Sequence, residues 1–246
     1  MTRHFHHMII DGKSSEDFNV YISGGGTYSS PERSFDEVEI PGRNGVIFLY
    51  DGNYKNIDVT YHAWIGKLER TDDVDRDFRA LRSFLMSRSG YVRIEDTYHP
   101  DEFRIGAYNS SIDASVHETM QAVEFDMTFS CKPQRFLKKY YDIPIEYTSS
   151  GQIFYNDTFF DAKPLIRVYG TGTFVVNGTS VIINTASSYT DFDCELQEAY
   201  KDTLATNCNG KITLTNAKFP YLSPGDNSIT WNGPTKIILY PRLFNL

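Results

Sequence analysis

Apolar and polar residues alternate along most of this chain, and that period of two restricts it to half-buried β-strands more tightly than any other feature. The clearest run is Ala122-Val123-Glu124-Phe125-Asp126-Met127-Thr128-Phe129-Ser130-Cys131, with Val123, Phe125, Met127, Phe129 and Cys131 on one face. Lys132-Pro133 is expected to break it, because proline cannot donate to a ladder. The character of the sequence changes there, and Lys138-Lys139-Tyr140-Tyr141 begins a bridge. The expected domains are therefore 1–137 and 138–246.

In the first half, residues 5–10 read as an opening strand ended by Asp11-Gly12. The extended stretch 34–40 stops at Pro41-Gly42, which reads as the central pair of a turn. Asn44-Gly45 supplies a second tight reversal, so Pro41-Gly42-Arg43-Asn44-Gly45 forms a compact loop with Arg43 near its tip. Residues 46–50, a turn at Asp51-Gly52, and residues 57–65 are expected to continue the sheet. In the last of these, Ile57, Val59, Tyr61, Ala63 and Ile65 share one face while Asp58, Thr60, His62 and Trp64 share the other. Apolar character on both faces predicts cover on each side, from a helix or a neighbouring subunit. One helix is predicted, over 71–89, from the stripe Val74, Phe78, Leu81 and Leu85. Thr71 is placed to cap it, Asp72 and Asp73 to favour its dipole, and Gly90 to end it.

The second half reads as an all-β antiparallel sandwich. Strand candidates are 165–169, 174–177, 181–184, 189–195, 211–215, 227–231 and 237–240, separated mostly by Gly, Pro or Asn. Asn177-Gly178 and Asn209-Gly210 are tight-hairpin signals.

The formal charge of −8 disfavours a nucleic-acid binder, which needs a basic face, yet suits a channel that DNA passes without adhering. Seventeen Tyr and 17 Phe fit either a β protein with aromatic cores or one that forms aromatic interfaces. Cys131, Cys194 and Cys208 show no metal-ligand spacing and read as small buried hydrophobes, although a Cys194–Cys208 pairing stays open. Neither a signal peptide nor an apolar run of membrane length is visible, so the chain is expected to be soluble where it is made.

No residue set is arranged for catalysis. Asp11-Gly12-Lys13-Ser14 lacks the glycine-rich loop of a phosphate site and, with Ser15, reads as a surface turn. His4, His6 and His7 suggest a metal but have no visible converging donors, which leaves polar residues at a subunit edge. Asp191, Asp193 and Glu195 share a strand face and imitate paired carboxylates, with Asp193 and Glu195 as a hydrolase pair, but solvated carboxylates are the simpler expectation. Tyr189 and Trp231 are candidates for an aromatic contact platform or for packing. No catalytic, cofactor or metal residue is assigned. Residues 41–45 are the candidate subunit interface, Arg43 foremost, because its fork can pair with a neighbour's carboxylate or carbonyl.

Taken in order, several segments resemble the distal tail protein (Dit) family of siphophages infecting Gram-positive bacteria. They are Tyr21, Pro31-Glu32-Arg33, Ile40-Pro41-Gly42-Arg43-Asn44-Gly45, Gly90-Tyr91-Val92-Arg93-Ile94-Glu95-Asp96 and Phe129-Ser130-Cys131-Lys132-Pro133-Gln134-Arg135-Phe136. The second half adds Ala162-Lys163-Pro164-Leu165-Ile166-Arg167-Val168-Tyr169-Gly170-Thr171-Gly172, Asp193-Cys194-Glu195, Phe219-Pro220-Tyr221-Leu222 and Pro224-Gly225-Asp226-Asn227, ending at Trp231.

The resemblance implies a mainly β fold: an N-terminal β-sheet domain with one covering α-helix, then a galectin-like β-sandwich. It implies a hexameric ring at the distal end of the tail in the virion, made in the host bacterial cytoplasm. The ring would join the tail tube protein to the tail-associated hub protein, support receptor-binding or baseplate proteins, and let DNA pass without specific binding or membrane insertion. The length implies the compact form, without inserted arms or added carbohydrate modules. The alternative is a carbohydrate-binding adhesion module that contacts the bacterial cell wall.

Overall fold

The computed structural model describes residues 5–66, 73–117, 122–185 and 188–246. The chain divides into two compact units, Met1–Arg135 with Leu246, and Phe136–Asn245. Each is mainly β and has its own hydrophobic cluster. Among the described residues no helix is long and apolar enough to cross a membrane.

The first unit is organised by one curled antiparallel sheet. Its neighbour order is Lys13–Ser14, Met8–Ile10, Val92–Asp96, Glu102–Tyr108, Ala122–Leu137, Ile57–Gly66 and Val20–Ser23. The path returns toward its start, because the Ile22 N–H donates to the His6 carbonyl at 2.8 Å. That register places Met8 opposite Val20, and here a side chain completes the seam. The Ser15 hydroxyl donates to the Val20 carbonyl at 2.8 Å and accepts the Met8 N–H at 3.1 Å. Ser15 is buried, not part of a surface turn as its polarity suggested. Its preceding neighbour Ser14 caps the short 3-10 turn Ser15–Phe18 by accepting the Glu16 N–H.

Inside the curl, Ile57, Val59, Tyr61, Ala63 and Ile65 meet Val123, Phe125, Met127, Phe129 and Cys131 in the expected rows. The helix Val74–Met86 packs on them through Leu81 and Leu85, with Phe78 edge-on to Phe125 at 5.3 Å. Burying each of those leucines contributes roughly 1.5–3 kcal/mol. Asp73 is the N-cap, its carboxylate accepting the Arg76 N–H, whereas the expected Thr71 and Asp72 lie outside the described residues. The helix ends at Ser87, whose hydroxyl donates to the Phe84 carbonyl, so Gly90 is not its terminator. The outer row of Ile57–Gly66 is exposed at Asp58, Thr60 and His62 and covered toward its end, where Trp64 packs on Phe5 and Tyr21.

Other expectations fail for local reasons. Ala122–Leu137 runs through Pro133; on the side of Ile57–Gly66 the ladder has already ended at Cys131, so the missing N–H interrupts no rung with that strand. Glu102–Tyr108 is a further strand, outside the expected set, that follows directly on a turn at 97–101. Residues 33–54 do not continue the main sheet. Arg33–Glu39 and Val46–Tyr54 form a separate two-stranded sheet, within which Asp51 and Gly52 sit in a bulge instead of a turn.

In the second unit two sheets share one cluster. One orders Ile145–Tyr147, Lys236–Tyr240, Leu165–Tyr169, Tyr189–Asp193, Glu198–Lys201 and Thr203–Asn207. The other orders Gln152–Asn156, Gly225–Asn232, Gly172–Val176, Thr179–Ile183 and Ile212–Leu214. Phe174 of one meets Phe192 of the other at 5.0 Å, and Ile166, Val168, Val181, Ile229 and Leu239 fill the same cluster, a sandwich-like arrangement.

The Asn177-Gly178 hairpin forms as predicted, with φ of 49° and 80°. Asn209-Gly210 does not make a tight hairpin but lies in a 3-10 turn, where the Asn209 carboxamide accepts the Ala199 N–H. The fully buried Asn227 explains the Pro224-Gly225-Asp226-Asn227 segment. Its amide donates to the carbonyls of Phe154, Ser223 and Gly225, and its oxygen accepts from Ser223 N–H and the Asn177 amide. All three cysteines are free and buried, and burial pushes the Cys131 thiol up to about 11.

Replacing Ser15 by Ala leaves the Met8 N–H and Val20 carbonyl buried without partners. A loss of roughly 1–3 kcal/mol is expected for the first unit. Urea unfolding followed by Trp64 fluorescence in a Trp231→Phe background measures it, and an unchanged midpoint would show the seam to be held otherwise.

Candidate functional site

The hairpin Arg33–Glu39 and Val46–Tyr54 lies between two strands that are themselves neighbours, Val20–Ser23 and Ile57–Gly66. Its base is tied by the Lys55 N–H to the Glu32 carbonyl at 3.0 Å, and the Asn56 amide donates to the Tyr91 hydroxyl at 2.6 Å. Its far end is the candidate loop. The Arg43 N–H donates to the Ile40 carbonyl at 3.1 Å, with Pro41 and Gly42 as the central pair and φ +82° at Gly42, the conformation that a type II turn demands of glycine. Asn44 and Gly45 then return the chain to the second strand, and Gly45 also has positive φ. Residues 41–45 therefore form the exposed tip of an arm.

The arm carries apolar side chains that the described residues of its own unit leave exposed. Phe48 is 59% exposed and Leu49 54%, and Phe35, Val38, Ile40 and Tyr50 are exposed as well. The pairs Phe35–Tyr50 and Glu37–Phe48 share one face, while Asp36–Leu49 and Val38–Ile47 share the other, so both faces are partly apolar. Phe35 and Phe48 meet edge-on at 4.8 Å, and the Arg33 guanidinium lies 5.7 Å from the Tyr50 ring. An isolated two-stranded sheet is marginal in water. One with apolar groups on both faces is an association surface. The signal was present in the run Val46-Ile47-Phe48-Leu49-Tyr50, whose continuous apolar character fits a strand covered on two sides.

The remaining sequence candidates are placed as follows. Asp191 and Asp193 are not solvated: both are buried and held by arginines. Arg167 donates Nε–H to Asp191 Oδ1 at 2.7 Å and Nη2–H to Oδ2 at 2.9 Å, while Arg242 Nη1 reaches both oxygens of Asp193 at 2.9 and 3.0 Å. The hydrogen bond and charge of Asp191 hold the Arg167 guanidinium above its ordinary value. The strand ends at Asp193, so Glu195 belongs to the following turn and not to a shared strand face. Tyr189 lies over Arg167 at 4.3 Å and donates its hydroxyl to Asp202. Trp231 stands on the other sheet, half-buried in the row of Asn227 and Ile229 and packed on the core cluster, so the two aromatics do not form one platform.

His6 stacks on Tyr98 at 3.9 Å, with its Nδ1 at 3.0 Å from the Thr97 hydroxyl, and His7 lies 3.5 Å from Glu16. His4 lies outside the described residues. Among the described residues no group of three or more His, Cys, Asp or Glu side chains converges as a metal site.

The fold is similar to that of solved phage tail-hub structures. Over 96% of this chain and 98% of the other, it matches the crystal structure of SPP1 Dit (gp 19.1), described as a paradigm of the hub adsorption apparatus in phages infecting Gram-positive bacteria, with a TM-score of 0.70 at 14% identity. A second similar structure is the phage P2 baseplate in its activated conformation with Ca, which matches over 96% of this chain and 98% of that chain with a TM-score of 0.51 at 8% identity. No protein-family model matches the chain, and no curated protein is significantly similar in sequence. At these identities the fold is what is shared.

Arg167→Met removes the partner of a carboxylate that is 2% exposed. A loss of about 3–5 kcal/mol is expected, because the remaining charge is buried and unpaired. Trp231 fluorescence during urea unfolding, in a Trp64→Phe background, reads it. A loss under about 1 kcal/mol would mean that Asp191 finds another partner.

Proposed function

We propose that this protein is the distal tail protein of a siphophage, a structural hub in the virion. Copies of its first unit form a hexameric ring at the tail end, and its second unit is a galectin-like sandwich. The observation that carries this reading is the uncovered arm: a hairpin apolar on both faces needs a surface to cover it, and the whole-chain likeness to a hub protein supports another copy of the chain as that surface.

Each copy gives its arm to the next, so one contact repeats head to tail and closes. Arg43 at the tip pairs with a carboxylate or carbonyl of the neighbour. Covering Phe48 and Leu49 contributes roughly 1.5–3 kcal/mol for each side chain, repeated at every junction. The ring joins the tail tube protein to the tail-associated hub protein, and the sandwich supports receptor-binding or baseplate components. DNA passes the ring without adhering. The exposed row with Asp58, Thr60, His62, Glu124 and Asp126 is of the kind that a polyanion slides past. Catalysis has no part in the proposal.

Purified chain is expected to give a closed annulus in negative-stain images and a hexamer in light scattering at matched concentration. Phe48→Ser with Leu49→Ser should abolish the annulus, and Arg43→Ala should shift it toward smaller species. Circular dichroism should stay unchanged in both variants, because these side chains bury little within the protomer. An undiminished hexamer in the Phe48, Leu49 variant would overturn the arm as the ring contact, and protomers without an annulus in intact particles would overturn the hub itself.

A further inference from the structure

We propose that a cleft in the second unit binds a hydroxyl-rich phosphate ester of sugar size. This goes beyond the tail-hub reading and does not rest on it. The cleft has a volume of about 330 Å³ and is lined by Asp161, Lys163, Cys194, Gln197 and the segment from Ala217 to Tyr221. Small-molecule pockets span roughly 300–1,000 Å³, so this one fits a ligand at the small end.

Its chemistry selects the class. Lys163 and Lys218 are both exposed on the cleft, and neither has an ion-pair or hydrogen-bond partner among the described residues. Two ammonium groups without an ion pair, against the single Asp161 carboxylate in the lining, run against the trend of a chain with a net charge of −8. They suit an anion held by charge-assisted hydrogen bonds. An anion alone would not need the rest of the lining. Tyr221 is 44% exposed and offers a ring face for stacking, with Phe219 and Pro220 beside it. Asp161 and Gln197 accept or donate to hydroxyls, and the Asp161 carboxylate disfavours a second phosphate at that end. Cys194 contributes a neutral wall, because burial pushes its thiol up and keeps it protonated.

The walls are built before any ligand arrives. Ala162 and Leu222 exchange both backbone hydrogen bonds at 2.9 Å, which fixes Asp161 and Lys163 against Tyr221. The turn bearing Gln197 is held by the Asp193 carboxylate, which accepts the N–H groups of Glu195 and Leu196 at 3.1 Å and is itself clamped by Arg242. Ala217 and Gln197 both have positive φ, 52° and 56°, a conformation that a non-glycine residue keeps only where its surroundings impose it. The buried Asp193–Arg242 pair thus supports a cleft edge as well as the core.

The test is a titration of the full chain at low salt, followed by amide shifts in ¹H–¹⁵N spectra, with glucose 1-phosphate, glucose, inorganic phosphate and an acidic peptide as separate probes. Glucose 1-phosphate is expected to shift the amides of Gln197, Lys218 and Tyr221 and to bind more tightly than the other three. Lys163→Gln and Lys218→Gln should each weaken it about tenfold, the worth of one charge-assisted hydrogen bond, and Tyr221→Ala should weaken it with the spectrum otherwise intact. Equal affinity for inorganic phosphate would overturn the saccharide part. Preference for the peptide, absence of shifts at these amides, or indifference to both lysine replacements would overturn the site. None of these outcomes bears on ring formation, which is read from the annulus.

Discussion

The hydroxyl of Ser15 holds the seam on which the first unit depends. Without it, the register that pairs His6 with Ile22 would leave Met8 and Val20 facing each other across a gap with one unpaired donor and one unpaired acceptor. With it, the sheet returns on itself, and the strands on either side of the arm, Val20–Ser23 and Ile57–Gly66, become part of a curled body backed by the helix. A hairpin of two strands has little stiffness of its own. Its direction is set by the strands from which it leaves and to which it returns, so a buried serine in a 3-10 turn governs how precisely the Arg43 tip can be placed.

The same division between local chemistry and tertiary context explains what was legible in the sequence. Pro41-Gly42 and Asn177-Gly178 were readable because each turn depends on the φ its own residues allow. The rows of Ile57–Gly66 and Ala122–Leu137, and the stripe of the helix, were readable because one buried face imposes its period. The failures needed a partner to be known. Pro133 lies beyond the end of the ladder to Ile57–Gly66; Asp51-Gly52 becomes a bulge because the facing strand offers fewer residues; Asp191 and Asp193 are buried because Arg167 and Arg242, distant in sequence, arrive to meet them. At the candidate surface the loop at 41–45 was found, but the apolar strand beside it was assigned to the main sheet. Val46–Tyr54 looks the same in sequence whether its cover comes from its own chain or from another.

The charge of the chain is also spent unevenly. Arginine appears where geometry matters: the Arg167 fork grips buried Asp191 through two nitrogens, and Arg242 Nη1 spans both oxygens of buried Asp193, so two carboxylates sit inside the sandwich unit. Lysine is left at the cleft, exposed and mobile in its stem, where a point charge can follow a ligand. A lysine-for-arginine exchange at either place would therefore not be conservative.

An uncovered arm is a hazard as well as a tool, because a free strand edge recruits whatever strand it meets. The two strands of this arm differ in a way that limits the hazard. Arg33–Glu39 carries Asp36, Glu37 and Glu39, so a copy of itself approaching that edge brings like charges together. Val46–Tyr54 begins with five consecutive apolar residues and carries no such protection until Asp51. Self-pairing through the acidic strand is disfavoured, so association falls to the apolar strand. A heterologous contact either closes or continues as a filament. In the proposed ring the outcome is set by the rotation and rise that the contact imposes, and a base held by the Ser15 hydrogen bonds keeps that geometry the same at each junction.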